Sequence, residues 1–591
     1  MNQISYAGLF NSSTLVAPGV YINVLPPKGS VIRPAVVGVL GLLGIASWGP
    51  VNVPTQIGGQ NPLALFGAQQ VRKYDLVTHA GIAQQIQSAL NSGASLMLNR
   101  VTDGTDTAAS APIGLIGSTL TVAAGGTGYP ASGSATLANG ITITFTASGG
   151  VVNAITLVSG AATSQPSNPV ATTTGGSGTG LTVNVGSYTK QLMVSSIYTG
   201  SAANGATATI GAGSAANTTK ITLSMPGFAP EVFDNISGSG NQFWINAAAA
   251  INNGNSPQRG PSLYFVASAG TATSAPTNGA STLAGGTDGA TTLTSSVFIG
   301  SDGATRTGVY SFRGMGVTHA VVCDLDDHTQ NANLLALAQS EGIYWGYQGP
   351  AGESISSAST TKATDGTDTP WLKVFLGDWC YANDNVNGGQ RLLGPATFGM
   401  ALLSTQPPQN AGLNKQIPMI VATQRSKSNS QYAQSDIVNL CNAGIEVIGN
   451  PIPAGNMFGM ETGRNASSNG AQNTDNWPVL TAFLARSLSG PGALGTLIGR
   501  TITDQFFIDG YAMLDNYLAG LKRATPDPVI QNYQIRFDRS NNPQTQTAQG
   551  LVVASVLIQY FGIAMVFLVN LQTGATVVIP ASASSDFSAA A

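Results

Sequence analysis

The residue types best suited to chemistry lie together in the segment Asp324-Leu-Asp-Asp-His328, directly after a predicted strand. Carboxylates and an imidazole are metal-ligand types, and ligand sites of α/β sheets lie at the carboxyl ends of strands. No second cluster of histidine or glutamate accompanies this segment. The alternative is that these side chains cap the following helix or its loop and stay solvated. The sequence therefore predicts no metal, although a metal site here stays open as the alternative.

Catalytic patterns are equally scarce. The chain has three histidines that could serve a nucleophile: His79, His319 and His328. No nucleophile-elbow motif accompanies them, and the absence of any Gly-Lys pair excludes the phosphate-binding loop pattern. Three cysteines are widely spaced and fit neither a disulfide framework nor a zinc site, so buried thiols are expected: Cys323, Cys380 and Cys441. We therefore predict a protein that is not an enzyme and binds no cofactor.

The composition indicates a surface that other subunits cover. The chain has 591 residues, of which 43% are hydrophobic and only 8% are charged, whereas soluble proteins carry about 25% charged residues. Since a monomer needs charge to stay unassociated, the surface is rich in Ser, Thr and Asn, covered by other copies, or both. The net charge of −3 argues against a nucleic-acid or membrane-surface partner. No signal-peptide pattern opens the chain, so assembly in a cytoplasm is expected.

Alternating strand and helix patterns predict a central α/β domain. The glycine-spaced apolar run Val36–Trp48 is typical of a strand buried on both faces, and a helix over 78–94 and a strand over 95–101 follow it. The pattern resumes after Gly308. Further strands are predicted at 318–323, 371–375, 418–422 and 445–448, and helices at 331–342, 392–404 and 434–443. We therefore predict one discontinuous domain over 26–106 and 301–460.

The interrupting sequence predicts two β-rich insertions. Residues 107–187 alternate short strand-like runs with Gly, Ser and Thr turns, which indicates a small all-β module. Disorder is the alternative, but recurrent Val, Ile and Leu favour folding. Residues 188–300 form the second, β-rich insertion. The 107–187 module is expected to face outward, because insertions survive best on exposed loops.

The two ends of the chain are predicted to be extended. Residues 1–17 lack periodicity and indicate a mobile arm, so residues 1–25 are assigned to an N-terminal arm and strand. Residues 461–591 are assigned to an α+β assembly domain, with helices near 477–489 and 501–523. The apolar run Leu551–Asn570 is long enough to cross a bilayer. Its β-branched residues, Gly562 and the lack of flanking Lys or Arg favour β-structure instead.

Several segments, in this order, resemble the contractile-tail sheath proteins of bacteriophages: Pro18–Ile22, Val36–Trp48, Trp48–Pro54, Phe66-Gly67, Leu283–Gly289, Thr307–Tyr310 and Tyr533–Ile579. The resemblance implies stacked hexameric rings around a tail tube, which contract on a baseplate signal and drive the tube through the host envelope. It implies a central domain of subtilisin-like fold without catalytic residues. It also implies a virion location, and tube, baseplate and tail-terminator proteins as partners. Residues 107–187 depart from the family.

The resemblance also implies that both chain ends add strands to neighbouring subunits, as unpaired edges allow. The candidate inter-subunit strands are carried by these residues: Val20, Tyr21, Ile22, Val24, Ile563, Met565, Phe567, Val569, Val577 and Ile579. The receiving edge would include Tyr533, Ile535 and Phe537. By family position, the 501–523 helix is a candidate tube-facing surface through Asp504, Asp509 and Asp515, and an ordinary solvated helix face is the alternative.

Two other classes of protein remain open. An extracellular β-rich adhesin or surface-layer protein would suit the low charge and the Ser/Thr/Gly modules, but should carry an export signal. An α/β hydrolase would need His319 or His328 to support turnover.

Overall fold

The structure is a computed structural model of the chain, in which contacts define two compact units, Met1–Thr501 and Ile502–Ala591. The sequence places the start of the C-terminal domain earlier, at residue 461. The structure describes residues 3–6, 21–24, 32–57, 89–90, 92–117, 120–138, 142–159, 167–174, 177–186, 188–255, 259–273, 275–323, 325–383, 389–571 and 573. Most of the helix predicted over 78–94 lies outside these residues.

A seven-stranded sheet, here called the central sheet, organises the first unit. Its strands lie in the spatial order Ile445–Glu446, Leu372–Phe375, Tyr344–Gln348, His319–Val322, Val39–Gly44, Ser95–Arg100 and Thr55–Ile57. All neighbours pair in parallel except the edge strand Thr55–Ile57, which is antiparallel. The sheet joins strands from before residue 101 and after residue 308.

Helices and apolar cores cover both faces of the central sheet. Every residue of Val39–Gly44 is buried, as the apolar run predicts for a parallel strand covered on both sides. One core packs around Leu43, Val322 and Trp345, and the other around Leu42 and Val321. The longer helices of this region are Ile355–Thr364, Asn331–Glu341, Pro395–Ser404, Gln434–Ala443 and Asn476–Ser489. This arrangement confirms a mixed α/β fold.

One predicted strand belongs elsewhere. Ile420–Thr423 lies in a separate three-stranded antiparallel sheet, beside Cys380–Asn383, which also pairs with Gln390–Leu393. Its alternating exposure explains the difference, because a strand inside the central sheet would be buried on both faces. Smaller elements complete the region: Ser295–Ile299, Gly308–Phe312, His328–Gln330, Gln424–Lys427, Ile448–Gly449, Gly459–Met460 and Leu494–Leu497.

A middle domain of two antiparallel sheets is inserted between the central strands Ser95–Arg100 and His319–Val322. One sheet has the order Phe265–Ala269, Tyr188–Ser196, Ser110–Gly117, and the other has Glu231–Ile236, Thr219–Ser224, Thr207–Ala212, Gly279–Thr282. The helix Asn241–Asn253 packs on them and contributes Trp244 to their core. A short 3₁₀ turn, Ser201–Ala203, adjoins the same core.

Close contacts tie the middle domain to the central sheet. Trp48, which follows a central strand, is buried in the core of the middle domain. The fully buried Arg100 donates to the carbonyl oxygens of Gly49 at 2.9 Å and Thr199 at 2.7 Å. Gly200 adopts φ 127°, and a Cβ there would lie 2.0 Å from the Ser47 carbonyl oxygen, so only glycine fits.

The inserted module is shorter than its predicted span of 107–187. Its six strands lie in the order Val151–Ser159, Thr142–Ser148, Ser132–Leu137, Val170–Thr174, Thr179–Val185 and Leu120–Thr127. The amide of Tyr129 donates to the Gly150 carbonyl at 3.1 Å and brings the two outer strands together. Ser110–Gly117 instead pairs antiparallel with Tyr188–Ser196 of the middle domain. The module is therefore folded, and it leaves the middle domain between two neighbouring strands.

Candidate assembly surfaces

The second unit is built on one helix. Thr503 caps Asp504–Lys522 by accepting the Phe506 amide at 3.3 Å, as Thr does at helix starts. Its buried side chains recur at helical spacing: Phe506, Phe507, Met513, Leu514, Tyr517, Leu518 and Leu521. The helix thus presents one apolar face to the rest of its unit.

A two-stranded antiparallel ribbon packs on this helix. Asn532–Arg536 pairs with Ser555–Gln559, and Tyr533 lies opposite Ile558. Alternate residues of both strands are half-buried and exposed, so one face is covered and the other is open. The sequence predicts Phe537 at a receiving edge. In the structure it directly follows the first ribbon strand and is buried, and its ring centroid lies 5.2 Å from that of Phe507. Phe537 therefore fastens the ribbon to its own helix.

Both outer edges of the ribbon lack a paired strand among the described residues. Such a two-stranded sheet is marginal alone, and its free amide and carbonyl groups are templates for further strands. Tyr533 and Ile535, two of the predicted receiving residues, lie on its half-buried face.

Within the segment Leu551–Asn570, predicted to be β-structure, only the five residues Ser555–Gln559 form a strand. Residues 560–571 have no regular secondary structure, because no strand within the described residues pairs with them. Ile563 and Met565 are half-buried, whereas Phe567 is 91% exposed and Val569 is 65% exposed. An apolar tail is thus left open to solvent immediately after the ribbon. Val577 and Ile579 lie outside the described residues.

The N-terminal segment contains more structure than a mobile arm. Gln3–Tyr6 pairs in parallel with Tyr21–Val24, with Ile4 opposite Ile22. The absence of apolar periodicity concealed the first strand, because backbone pairing does not require periodicity. Val20 lies outside the described residues.

The three acidic residues suggested for a tube contact all have partners within the unit. Asp504 lies 3.0 Å from Arg539. Asp509 accepts a hydrogen bond from the side-chain amide of Gln505 at 2.7 Å. Asp515 accepts the Tyr533 hydroxyl at 2.7 Å. Burial and then this hydrogen bond raise the pKa of Tyr533 to about 12. The outward face of the helix also carries two exposed apolar side chains that the sequence interpretation missed, Ile508 and Tyr511, although their spacing of three residues was a readable signal.

The segment at the carboxyl end of the His319–Val322 strand behaves largely as a cap. Asp327 accepts the Thr329 amide at 3.1 Å and begins the short turn His328–Gln330. His328 Nδ1 lies 2.8 Å from Asp365 Oδ2. Within the described residues, no group of three or more metal-binding side chains converges. Asp324 lies outside those residues.

A buried polar cluster on the central sheet was not predicted. Lys373 is fully buried, and its Nζ donates to Glu446 at 2.8 Å and to Asp475 at 2.7 Å. Asp475 also accepts the Tyr344 hydroxyl at 2.8 Å. Burial opposes protonation of Lys373, but Asp475 and Glu446 outweigh it and raise its pKa. Single polar residues within strand patterns carry no signal of which partner they meet.

The buried histidine and the cysteines fit structural roles. His319 is 1% exposed, and its Nδ1 lies 2.9 Å from the Thr318 hydroxyl. Burial lowers its pKa to about 3, so its imidazole is neutral and shielded from any substrate. Cys323 and Cys380 are buried as predicted, whereas Cys441 is half-buried. No helix within the described ranges is long and apolar enough to span a membrane.

Comparison with solved structures finds sheath proteins of contractile systems. A sheath tail protein from Desulfitobacterium hafniense is similar over 88% of this chain and 93% of its own, with 12% identity and a TM-score of 0.48. A sheath tail protein from Listeria innocua is similar over 90% of this chain and 96% of its own, with 10% identity and a TM-score of 0.49. A chain from the contracted sheath complex of an extracellular contractile injection system is similar over 44% of this chain and 71% of its own length, with 15% identity and a TM-score of 0.37. No family model and no curated protein matches the chain.

Proposed function

We propose that the chain is the structural subunit of a contractile tail sheath, which polymerises as stacked hexameric rings around a tail tube. The observation that carries the proposal is the ribbon, whose outer edges have no paired strand among the described residues and which is followed at once by an exposed apolar tail. In the proposed assembly, each chain end adds a strand to a neighbour's ribbon. Main-chain hydrogen bonds then supply affinity, and alternate side chains supply specificity. A head-to-tail contact of this kind generates a helical tube when its rotation does not close.

The free-energy balance of the tail is compatible with strand exchange between neighbouring subunits. Five side chains of 566–571 are at least 65% exposed: Val566, Phe567, Leu568, Val569 and Leu571. Burying each is worth about 1.5–3 kcal/mol, or about 7–15 kcal/mol together. Ordering six residues costs about 6–12 kcal/mol of backbone entropy. Apolar burial alone therefore roughly balances the ordering cost, and hydrogen bonds to the ribbon edge supply the net affinity.

Contraction, in this proposal, releases a kinetically trapped extended lattice into a more stable one. Strand connections keep subunits linked while their lateral surfaces repack. The work comes from subunit packing, so the mechanism routes no step through a nucleotide. The proposed partners are further copies of the chain, a tail tube protein, and baseplate and tail-terminator proteins. The proposal requires neither direct nucleic-acid contact nor membrane insertion. The sheath would be assembled in the host cytoplasm as part of a virion or a related injection device.

Truncation tests the proposal directly. Full-length chain is expressed beside two deletions, one lacking residues 1–24 and one ending at Gly562, and each is imaged by negative-stain microscopy. We expect tubes of uniform diameter only from the full-length chain, with both deletions soluble and retaining the tryptophan fluorescence of a folded first unit. A matched deletion of residues 120–185, closed by a short Gly-Ser linker, should still form tubes, because these residues fold as a separate sheet. Normal tubes from either end deletion would refute strand exchange.

A further inference from the structure

A small, partly open space lies at the carboxyl ends of two central strands. It has a volume of about 220 Å³. The space lies between the helices Asn331–Glu341 and Ile355–Thr364, which each contribute lining residues. It is thus too small for a nucleotide and suited to a short organic group.

The lining combines apolar side chains with hydrogen-bond acceptors. Val374, Ala358 and the ring of Tyr347 supply the apolar part. Glu353 and Asp326 supply carboxylates. An apolar wall beside anionic acceptors suits a group that has a hydrocarbon stem and a positively charged head.

A buried acceptor at this space lacks a partner. Asn331 lines the space and is 7% exposed, and its Oδ1 has no hydrogen-bond partner among the described residues. Leaving a buried acceptor unpaired costs free energy that a bound donor would recover. An ammonium group carries three donors and no acceptor, so it suits this lining.

Glu353 accepts one main-chain hydrogen bond, and His328 is a charge neighbour of its carboxyl group. Its Oε2 accepts the Gly377 amide at 3.2 Å, and burial raises its pKa. Two further basic side chains line the same space, and each already has an acidic neighbour. His328 lies 2.8 Å from Asp365, and the ammonium of Lys362, whose pKa burial lowers, interacts with the carboxylate of Asp368.

We propose that this space binds a primary alkylammonium group, with the ammonium between Glu353 and Asn331 and the alkyl stem against Val374 and Ala358. The group is either a free amine or a lysine side chain of a second copy of the chain. A divalent cation fits less well, because the described residues present no three converging ligands. The inference goes beyond the sheath proposal and does not depend on it.

Calorimetric titration of the full-length chain with n-butylammonium tests the site, with n-butanol as the neutral analogue. Glu353→Gln and Asn331→Ala should each weaken n-butylammonium binding about tenfold or more, as expected for loss of a hydrogen bond to a charged group. The matched control Asp527→Asn removes an exposed carboxylate and should leave binding unchanged. Tryptophan fluorescence verifies that each variant is folded.

Three results would overturn the inference: no binding of n-butylammonium, equal binding of n-butanol, or displacement of the amine by equimolar calcium. The source of the amine is settled by carbodiimide coupling. A cross-link from Glu353 to a lysine of a second copy, suppressed by n-butylammonium, identifies the lysine side chain. Amine binding without that cross-link identifies a free amine. Both outcomes support the site, and neither depends on tube formation.

Discussion

Replacing Lys373 by methionine should destabilise the first unit by about 3–5 kcal/mol, because it leaves buried carboxylates without their counter-charge. The Lys373 ammonium lies within 2.8 Å of Glu446 and Asp475, and all three side chains are completely buried. Methionine matches the length of the lysine stem, so the loss of packing is small. The predicted cost therefore reports the unpaired charges rather than a cavity.

Urea denaturation followed by tryptophan fluorescence measures this cost. All six tryptophans lie before residue 501, so the signal reports only the first unit. With a slope of about 3 kcal/mol per molar urea or more, the midpoint should fall by about 1 M. Lys220→Met is the matched control, because Lys220 is exposed and surface changes stay within about 0.5 kcal/mol.

A triple variant separates charge from packing. Adding Glu446→Gln and Asp475→Asn to Lys373→Met removes every unpaired charge and should recover much of the lost stability. A Lys373→Met cost below about 1 kcal/mol, or no recovery in the triple variant, would show that the buried charges do not dominate there.

Three further changes test other parts of the first unit. The pKa of His319 is about 3 in the folded chain, against about 6.5 in the unfolded chain. The free energy of unfolding should therefore fall by about 2 kcal/mol as the pH drops from about 7 to about 5, and His319→Asn should flatten that slope. An unchanged slope would contradict burial of the neutral imidazole. Burial and then Glu446 raise the pKa of Glu461 to about 7, so stability is lost as the pH rises through that value. Glu461→Gln should remove about 1 kcal/mol of this loss, after allowance for partial exposure, in urea titrations at about pH 5 and pH 8. Gly200→Ala should lower the melting temperature more than Gly205→Ala, since both have positive φ but only Gly200 meets backbone at 2.0 Å; equal shifts would rule out that clash.

Strongly periodic segments were predictable. The helices Asn331–Glu341 and Gln434–Ala443 lie within a residue of their predicted spans, because helical spacing of apolar residues survives in any tertiary context. Sheet membership was not predictable for Ile420–Thr423. A four-residue strand does not encode which sheet receives it, since pairing is decided by distant residues.

The assembly surfaces were predictable only in outline. The β-branched run before Gly562 correctly indicated a strand at Ser555–Gln559, but its end depends on whether a partner strand is present. The packing of Phe537 against Phe507 was equally hidden, because an aromatic after a strand fits a core or an edge. The Lys373 cluster joins four segments separated by up to 131 residues, and single-sequence patterns do not connect such distances.

The antiparallel pairing of Gly117 with Tyr188 has a practical consequence for protein engineering. Paired residues of antiparallel strands lie about 4.5–5.5 Å apart, so the chain leaves and re-enters the middle domain at nearly one point. Any folded domain whose own termini lie that close could replace residues 120–185 without stretching its host. The junction is therefore a natural grafting point, where an enzyme, an epitope or a fluorescent reporter could be carried by every copy of the chain.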